Sequence, residues 1–150
     1  MTEPSAIDVR GHCYCGAVGF RVQMPADAKP IFTAYCHCDS CRRAHAAPLY
    51  HIVAVAEPMI TFTGEEHIRE FNRGGPTRAF CTGCGSKVYN RFGAWRPGGV
   101  VPVGFFPNLL DEASQHPLPE RFRPQRMNRP DECVLDTAFL GQLDGLRAST

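Results

Sequence analysis

Cys81-Thr82-Gly83-Cys84-Gly85 has the knuckle spacing of a metal-binding turn: two thiols three positions apart, with glycines free to adopt the positive φ that turns backbone amides toward sulfur. One such pair is half of a tetrahedral site, so a second pair must come from elsewhere in the chain. Cys13-Tyr14-Cys15-Gly16 supplies it. Side chains two apart on an extended strand face the same way, so both sulfurs reach one ion, and Gly16 lets the chain turn off at once. Closing the two pairs on one zinc would staple the N-terminal strand to a distant hairpin, and the binding free energy would become folding free energy.

The chain carries eight cysteines, and three more of them fall in Cys36-His37-Cys38-Asp39-Ser40-Cys41. Seven clustered thiolates divide into four and three, and a catalytic zinc keeps three protein ligands and an open position. A loop this short wraps one face of an ion without closing over the other. The alternative is a second closed site, with His37, His45, His12 or Cys133 as fourth ligand; Cys133, in Asp131-Glu132-Cys133-Val134, reads rather as a small buried apolar side chain. An iron–sulfur cluster is another use of a cysteine run, but the ribbon-like knuckles favour zinc. Arg42 and Arg43 follow the last thiol directly. They would offset the negative charge of three thiolates and offer a fork to a substrate carboxylate, so they join Cys36, Cys38 and Cys41 as candidate catalytic residues. The bland reading of each arginine is a solvated helix face or an ion pair with Asp39. His45, Tyr50 and His51 have no partner visible in the sequence and read as surface or core residues.

Composition fits a compact domain of small-molecule chemistry. At 150 residues and 43% hydrophobic, the chain is expected to form one zinc-binding domain over 1–150 with a real core. Sixteen basic and fifteen acidic side chains leave a net charge of +1, so no global field draws it to nucleic acid or anionic lipid. The first ten residues lack the apolar stretch of a signal peptide and no apolar run reaches membrane-span length, which points to the cytoplasm. In that reducing compartment clustered cysteines are metal ligands or redox groups before they are disulfides.

Fourteen glycines and thirteen prolines cut the chain into short pieces that mostly read as strand. Alternating or β-branched runs occur at Ala17–Val22, Leu49–Ala56, Met59–Thr63, His67–Asn72, Lys87–Phe92 and Val100–Phe106. A turn or two of helix is expected over Cys41–Ala47, capped by Asp39 or Ser40, and a short amphipathic piece around Phe139, Leu143 and Leu146. The pattern predicts a mainly β, antiparallel fold with little helix. Pro117, Pro119 and Pro124 mark 107–130 as extended covering chain, not central strand.

The order Gly11-His12-Cys13-Tyr14-Cys15-Gly16-Ala17-Val18, Tyr35-Cys36-His37-Cys38-Asp39-Ser40-Cys41-Arg42-Arg43 and Phe80-Cys81-Thr82-Gly83-Cys84-Gly85-Ser86 resembles the glutathione-dependent formaldehyde-activating enzyme family, which also includes centromere protein V. The resemblance covers about residues 10 to 106, leaving 107–150 as a C-terminal covering segment, and takes in all seven clustered cysteines in order. It implies a β-tent fold with one structural zinc on Cys13, Cys15, Cys81 and Cys84 and one catalytic zinc on Cys36, Cys38 and Cys41. One departure stands after the triplet, where family members often carry glycine in place of Ala46.

The activity implied is a carbon–sulfur lyase type of chemistry on glutathione and formaldehyde, with a small thiol as partner. A thiol entering the open position would be deprotonated by the metal and could add to a carbonyl held nearby. The competing readings are a non-catalytic glutathione carrier, an interaction module like centromere protein V, and a redox dithiol at Cys38 and Cys41. No basic extension flanks the domain to support the second, and the third lacks a βαβ context.

Overall fold

A computed structural model describes residues 4–136, and ten strands in two sheets account for most of its order. β1 (Ile7–His12) and β2 (Gly19–Met24) pair antiparallel, and β2 pairs in turn with β5 (Ile60–Thr63). The second sheet has seven strands in the order β10 (Arg126–Asn128), β3 (Phe32–Cys36), β4 (Tyr50–Ala56), β9 (Pro102–Phe105), β8 (Lys87–Arg91), β7 (Thr77–Cys81) and β6 (Ile68–Phe71). Every pairing is antiparallel except β10 on β3. The architecture is thus the mainly β tent expected from the sequence, with one parallel edge strand added.

Burial explains why these runs become these strands. In β2 the side chains of Phe20, Val22 and Met24 are buried while Arg21 and Gln23 alternate outward, the period of a sheet wet on one face. In β4, Ile52, Val53, Ala54 and Val55 are all buried, as in a central strand covered on both sides. Its two faces serve different clusters. Val53 and Val55 join the main core between the sheets, whereas Ile52 packs with Ala34 and Phe106 on the opposite face. Aromatic rings bind the two sheets: Phe20 lies 5.8 Å from Phe105, which meets Phe122 edge to face at 5.2 Å.

The stretch 107–130 is covering chain, as its prolines require, but it is not uniformly extended. It contains the single-turn 3-10 segments Pro107–Leu109 and Glu120–Phe122 and a short helix, α2 (Glu112–Gln115), and it ends in β10. β10 sits at a sheet edge, where prolines nearby cost no ladder hydrogen bonds. The amphipathic piece expected around Phe139, Leu143 and Leu146 lies outside the described residues. Within them, no helix is long and apolar enough to cross a membrane.

The helix after the triplet, α1 (Asp39–His45), starts two residues earlier than its sequence suggests, and neither Asp39 nor Ser40 caps it. Cys38 occupies the cap position without a side-chain cap bond. The Asp39 carboxylate is drawn instead to Arg42 and Arg43, and the Asp39 backbone N–H donates to the Glu132 carboxylate from the end of the described chain. At the other end Ala46 closes the helix at φ 50°, ψ 42°, in the left-handed region. That conformation costs a β-carbon about 1–2 kcal/mol, part of which glycine gives back through its freer unfolded chain. Ala46→Gly should therefore stabilise the protein by about 0.5–1 kcal/mol, a rise in Tm of about 1–4 °C by calorimetry. A lower Tm would mean that the Ala46 methyl makes packing contacts worth more than the backbone strain.

Candidate metal centres and the cavity beside them

β1 ends one residue before Cys13 and β7 ends on Cys81, so each sheet delivers one thiol pair to the same corner. Cys13, Cys15, Cys81 and Cys84 place their four sulfurs within 4.8 Å of one another. Cys13 and Cys15 lie 3.6 Å apart and Cys15 and Cys81 3.8 Å, close to the ~3.8 Å edge of a tetrahedron drawn with zinc–sulfur bonds of ~2.3 Å. The Val18 N–H points to Cys13 Sγ at 3.3 Å, and the Gly83 N–H to Cys81 Sγ at 3.3 Å. These amides stabilise negative sulfur. Gly85, which follows the second thiol of the knuckle, sits at φ 77°, the left-handed region that favours glycine. Hydrogen bonding with Ser86 holds the Cys84 thiol down to about 6. The group fits a closed tetrahedral ion.

Cys36, Cys38 and Cys41 form the second cluster, again within 4.8 Å of one another. Cys36 ends β3, Cys38 precedes α1 and Cys41 lies in its first turn, so a strand running straight into a helix gathers the three sulfurs. No fourth histidine, cysteine or carboxylate joins them among the described residues. His37 is buried with both ring nitrogens unpartnered, His12 faces Asp111 at 3.7 Å, and Cys133 Sγ points to the Leu135 carbonyl at 4.0 Å. His45 is stacked on Tyr50 at 4.1 Å, and burial pushes its pKa down to about 4.

The neighbours of Cys41 come from distant strands. Tyr50 donates its hydroxyl to Cys41 Sγ at 3.3 Å, and Arg78 donates from Nη2 at 3.5 Å. Asn90 Nδ2 donates to the Tyr50 oxygen at 3.4 Å and so fixes the phenol. Arg78 is only 7% exposed, which makes it the guanidinium most committed to the thiols. Hydrogen bonding from Cys36 and Cys38, joined by Tyr50 and Arg78, outweighs desolvation and holds Cys41 down to about 4; Cys36 is pushed up correspondingly by Cys41 and by burial. A cavity of about 230 Å³ opens beside the sulfurs, lined among others by Phe32, Ile52, Arg78, Phe92 and Arg129.

Alternation along the strands separates the two clusters. Ala79 and Cys81 of β7 belong to the core between the sheets, whereas Arg78, one residue out of phase, reaches Cys41 on the other side. On β4 likewise, Val53 and Val55 face the core while Tyr50 and Ile52 line the cavity. One cluster therefore ties the sheets together and the other opens on the outer face of the larger sheet.

Arg42 and Arg43 do not reach the cavity. Arg42 donates from Nε to the His37 carbonyl at 2.9 Å, and Arg43 pairs with Asp39 at 3.0 Å with its side chain 79% exposed. The arginine at the thiols is Arg78, which carries no local motif. Its only sequence signal is its place three residues before Cys81, out of phase with the knuckle.

Residues 8–125 match the family described as glutathione-dependent formaldehyde-activating enzyme. A Halomonas elongata protein, provisionally named a glutathione-dependent formaldehyde-activating enzyme, is 32% identical over 130 residues, spanning 82% of this chain and 78% of its own. A Rhodobacter sphaeroides protein of known crystal structure shares 20% identity and a TM-score of 0.52, over 69% of this chain and 88% of that one, a likeness of fold alone. A match across more than three-quarters of the chain, with both cysteine groups gathered as described, places this protein in the glutathione-dependent formaldehyde-activating enzyme family.

Proposed function

We propose that this protein is a zinc-dependent carbon–sulfur lyase acting on glutathione or a related thiol adduct, in the manner of an S-hydroxymethylglutathione synthase. The observation that carries the reading is a cluster of three thiols with no fourth protein ligand among the described residues, facing a cavity and braced by Arg78 and Tyr50. Two zinc ions per chain are proposed, one held by Cys13, Cys15, Cys81 and Cys84 and one by Cys36, Cys38 and Cys41. The eight free thiols suit a reducing cytoplasm.

Zinc at the triplet, when bound, supplies the positive charge that keeps a thiol deprotonated near neutral pH. The rest of the chemistry belongs to the chain. Tyr50 and Arg78 donate to Cys41 and draw off part of its negative charge, so the site accepts a further sulfur anion more readily. Phe32, Phe92 and Ile52 keep water from one side of the cavity, which strengthens every charge interaction inside it. In the synthetic direction the thiol sulfur forms a bond to the carbonyl carbon, the carbonyl π pair moves to oxygen, and the proton lost by the thiol is restored on that oxygen from solvent. Lyase action is the reverse.

Glutathione titrated into the zinc-loaded protein should bind with a stoichiometry of one by calorimetry. Cys38→Ser should abolish the heat while retaining the fold, because Cys38 lies at the partly exposed edge of the triplet. Exchange of carbon-13 formaldehyde with its glutathione adduct, followed by NMR, should be accelerated by the protein. Binding without acceleration would make the protein a carrier; no binding, and no effect of the substitution, would end the proposal.

A further inference from the structure

The cavity beside the triplet is built for more than a one-carbon carbonyl. Phe32 and Phe92 line it and meet edge to face at 5.7 Å, and Ile52 lines it as well. Trp95, half exposed, packs 5.8 Å from Phe32 and 6.3 Å from Phe92. The guanidinium of Arg126 lies over the Phe32 ring at 4.6 Å, and Arg129 lines the cavity. The result is an apolar aromatic wall with cations beside it, next to the sulfurs, in a space of about 230 Å³.

Formaldehyde has no group to set against such a wall. Glutathione, with two carboxylates, an ammonium and two amides, would desolvate those groups there without partners, which is unfavourable. Its carboxylates suit Arg126 instead, since Arg129 is paired with Asp131 at 2.9 Å and Glu132 at 2.6 Å. That leaves the wall for a substituent on the carbonyl carbon. We infer that the preferred substrate is the thiol adduct of an apolar aldehyde, aromatic or branched aliphatic, and that Phe32 and Phe92, backed by Trp95, form the specificity wall for its side chain. The inference rests on the thiol-adduct reading above and names the other half of the substrate. The step balances as before: the thiol sulfur bonds to the aldehyde carbon, the π pair goes to oxygen, and a proton ends on that oxygen, giving an α-hydroxy thioether with no change of oxidation state. Each methylene buried in such a wall is worth about fourfold, so an aromatic ring should gain on the order of 10–100-fold over hydrogen.

S-benzylglutathione and S-methylglutathione are stable stand-ins for the two classes of adduct, and Trp95 is the only tryptophan in the chain, so its fluorescence reports on occupancy of the wall. With the zinc-loaded protein, S-benzylglutathione should bind at least tenfold more tightly than S-methylglutathione and change the Trp95 emission. Phe92→Ala and, read by calorimetry, Trp95→Ala should each reduce that ratio to below about threefold. In carbon-13 exchange, benzaldehyde with glutathione should exceed formaldehyde in kcat/KM by at least tenfold. Equal affinity for the two stand-ins, a ratio that survives both substitutions, or faster exchange of formaldehyde overturns the inference and leaves the thiol-adduct reading standing. If glutathione and both its derivatives fail to bind, both fall together.

Discussion

Cys81→Ser is expected to leave the protein unfolded at neutral pH, with the dispersed amide spectrum lost and zinc content reduced by at least one ion per chain. The reason lies in where the residue sits. Cys13 and Cys81 are fully buried members of the core between the two sheets, one delivered by β1 and the other by β7. Besides packing, the four-thiol cluster is the tie between the N-terminal hairpin and the far side of the larger sheet. An ion at such a site contributes about 10–16 kcal/mol to folding in small zinc domains, whereas a whole domain is stable by about 5–15 kcal/mol, so losing a ligand removes most of the margin. Cys38→Ser is the contrasting variant: it should lose the second ion and keep the fold, because the triplet lies on the outer face of the sheet at its partly exposed edge. Graded chelation of the unmodified protein should accordingly release one ion before unfolding and the other with it. A Cys81→Ser protein that melts within a few degrees of the parent would show that the core holds the sheets together without metal.

The strands readable from sequence were those written as a continuous apolar, β-branched run, such as β4, or as period-2 alternation in ordinary apolar residues, such as β2. β3 and β7 were not, and both run directly into cysteine clusters, where the ligands themselves complete the buried set and the alternation is hidden. β1 alternates Val9 and Gly11 inward, and glycine carries no apolar signal. β10 lies among prolines and pairs parallel at an edge, through only three residues. The grouping of the thiols was legible because spacing along a short loop nearly fixes distance in space. The charge beside them was not. Arg42 and Arg43 adjoin Cys41 in sequence, but on a helix consecutive side chains turn about 100° apart, and these two meet Asp39 and the His37 carbonyl instead. Arg78 arrives from a strand 37 residues on, which no local pattern records.

Arg78→Met should lower kcat/KM for the thiol adduct by about 10²–10³-fold, the loss typical of removing one preorganised donor at a site of developing charge. With a divalent ion held by Cys36, Cys38 and Cys41 as thiolates, the site would carry one net negative charge, to which a substrate thiolate would add a second. Arg78 is the buried cation in hydrogen-bond contact with these sulfurs, while Arg42 and Arg43 are engaged by Asp39. Without it, the incoming thiol must lose its proton against uncompensated charge, so its pKa rises and residual activity should climb with pH above the parent's optimum. Methionine approximates the aliphatic stem and keeps β7 packed, so two zinc ions per chain should remain by elemental analysis. Arg78→Lys, which keeps the charge and loses the planar fork, should recover part of the rate and most of the pH profile. If Arg78→Met instead lowers activity in proportion to zinc lost, with an unshifted pH profile, Arg78 serves only to hold Cys41 in place for the metal.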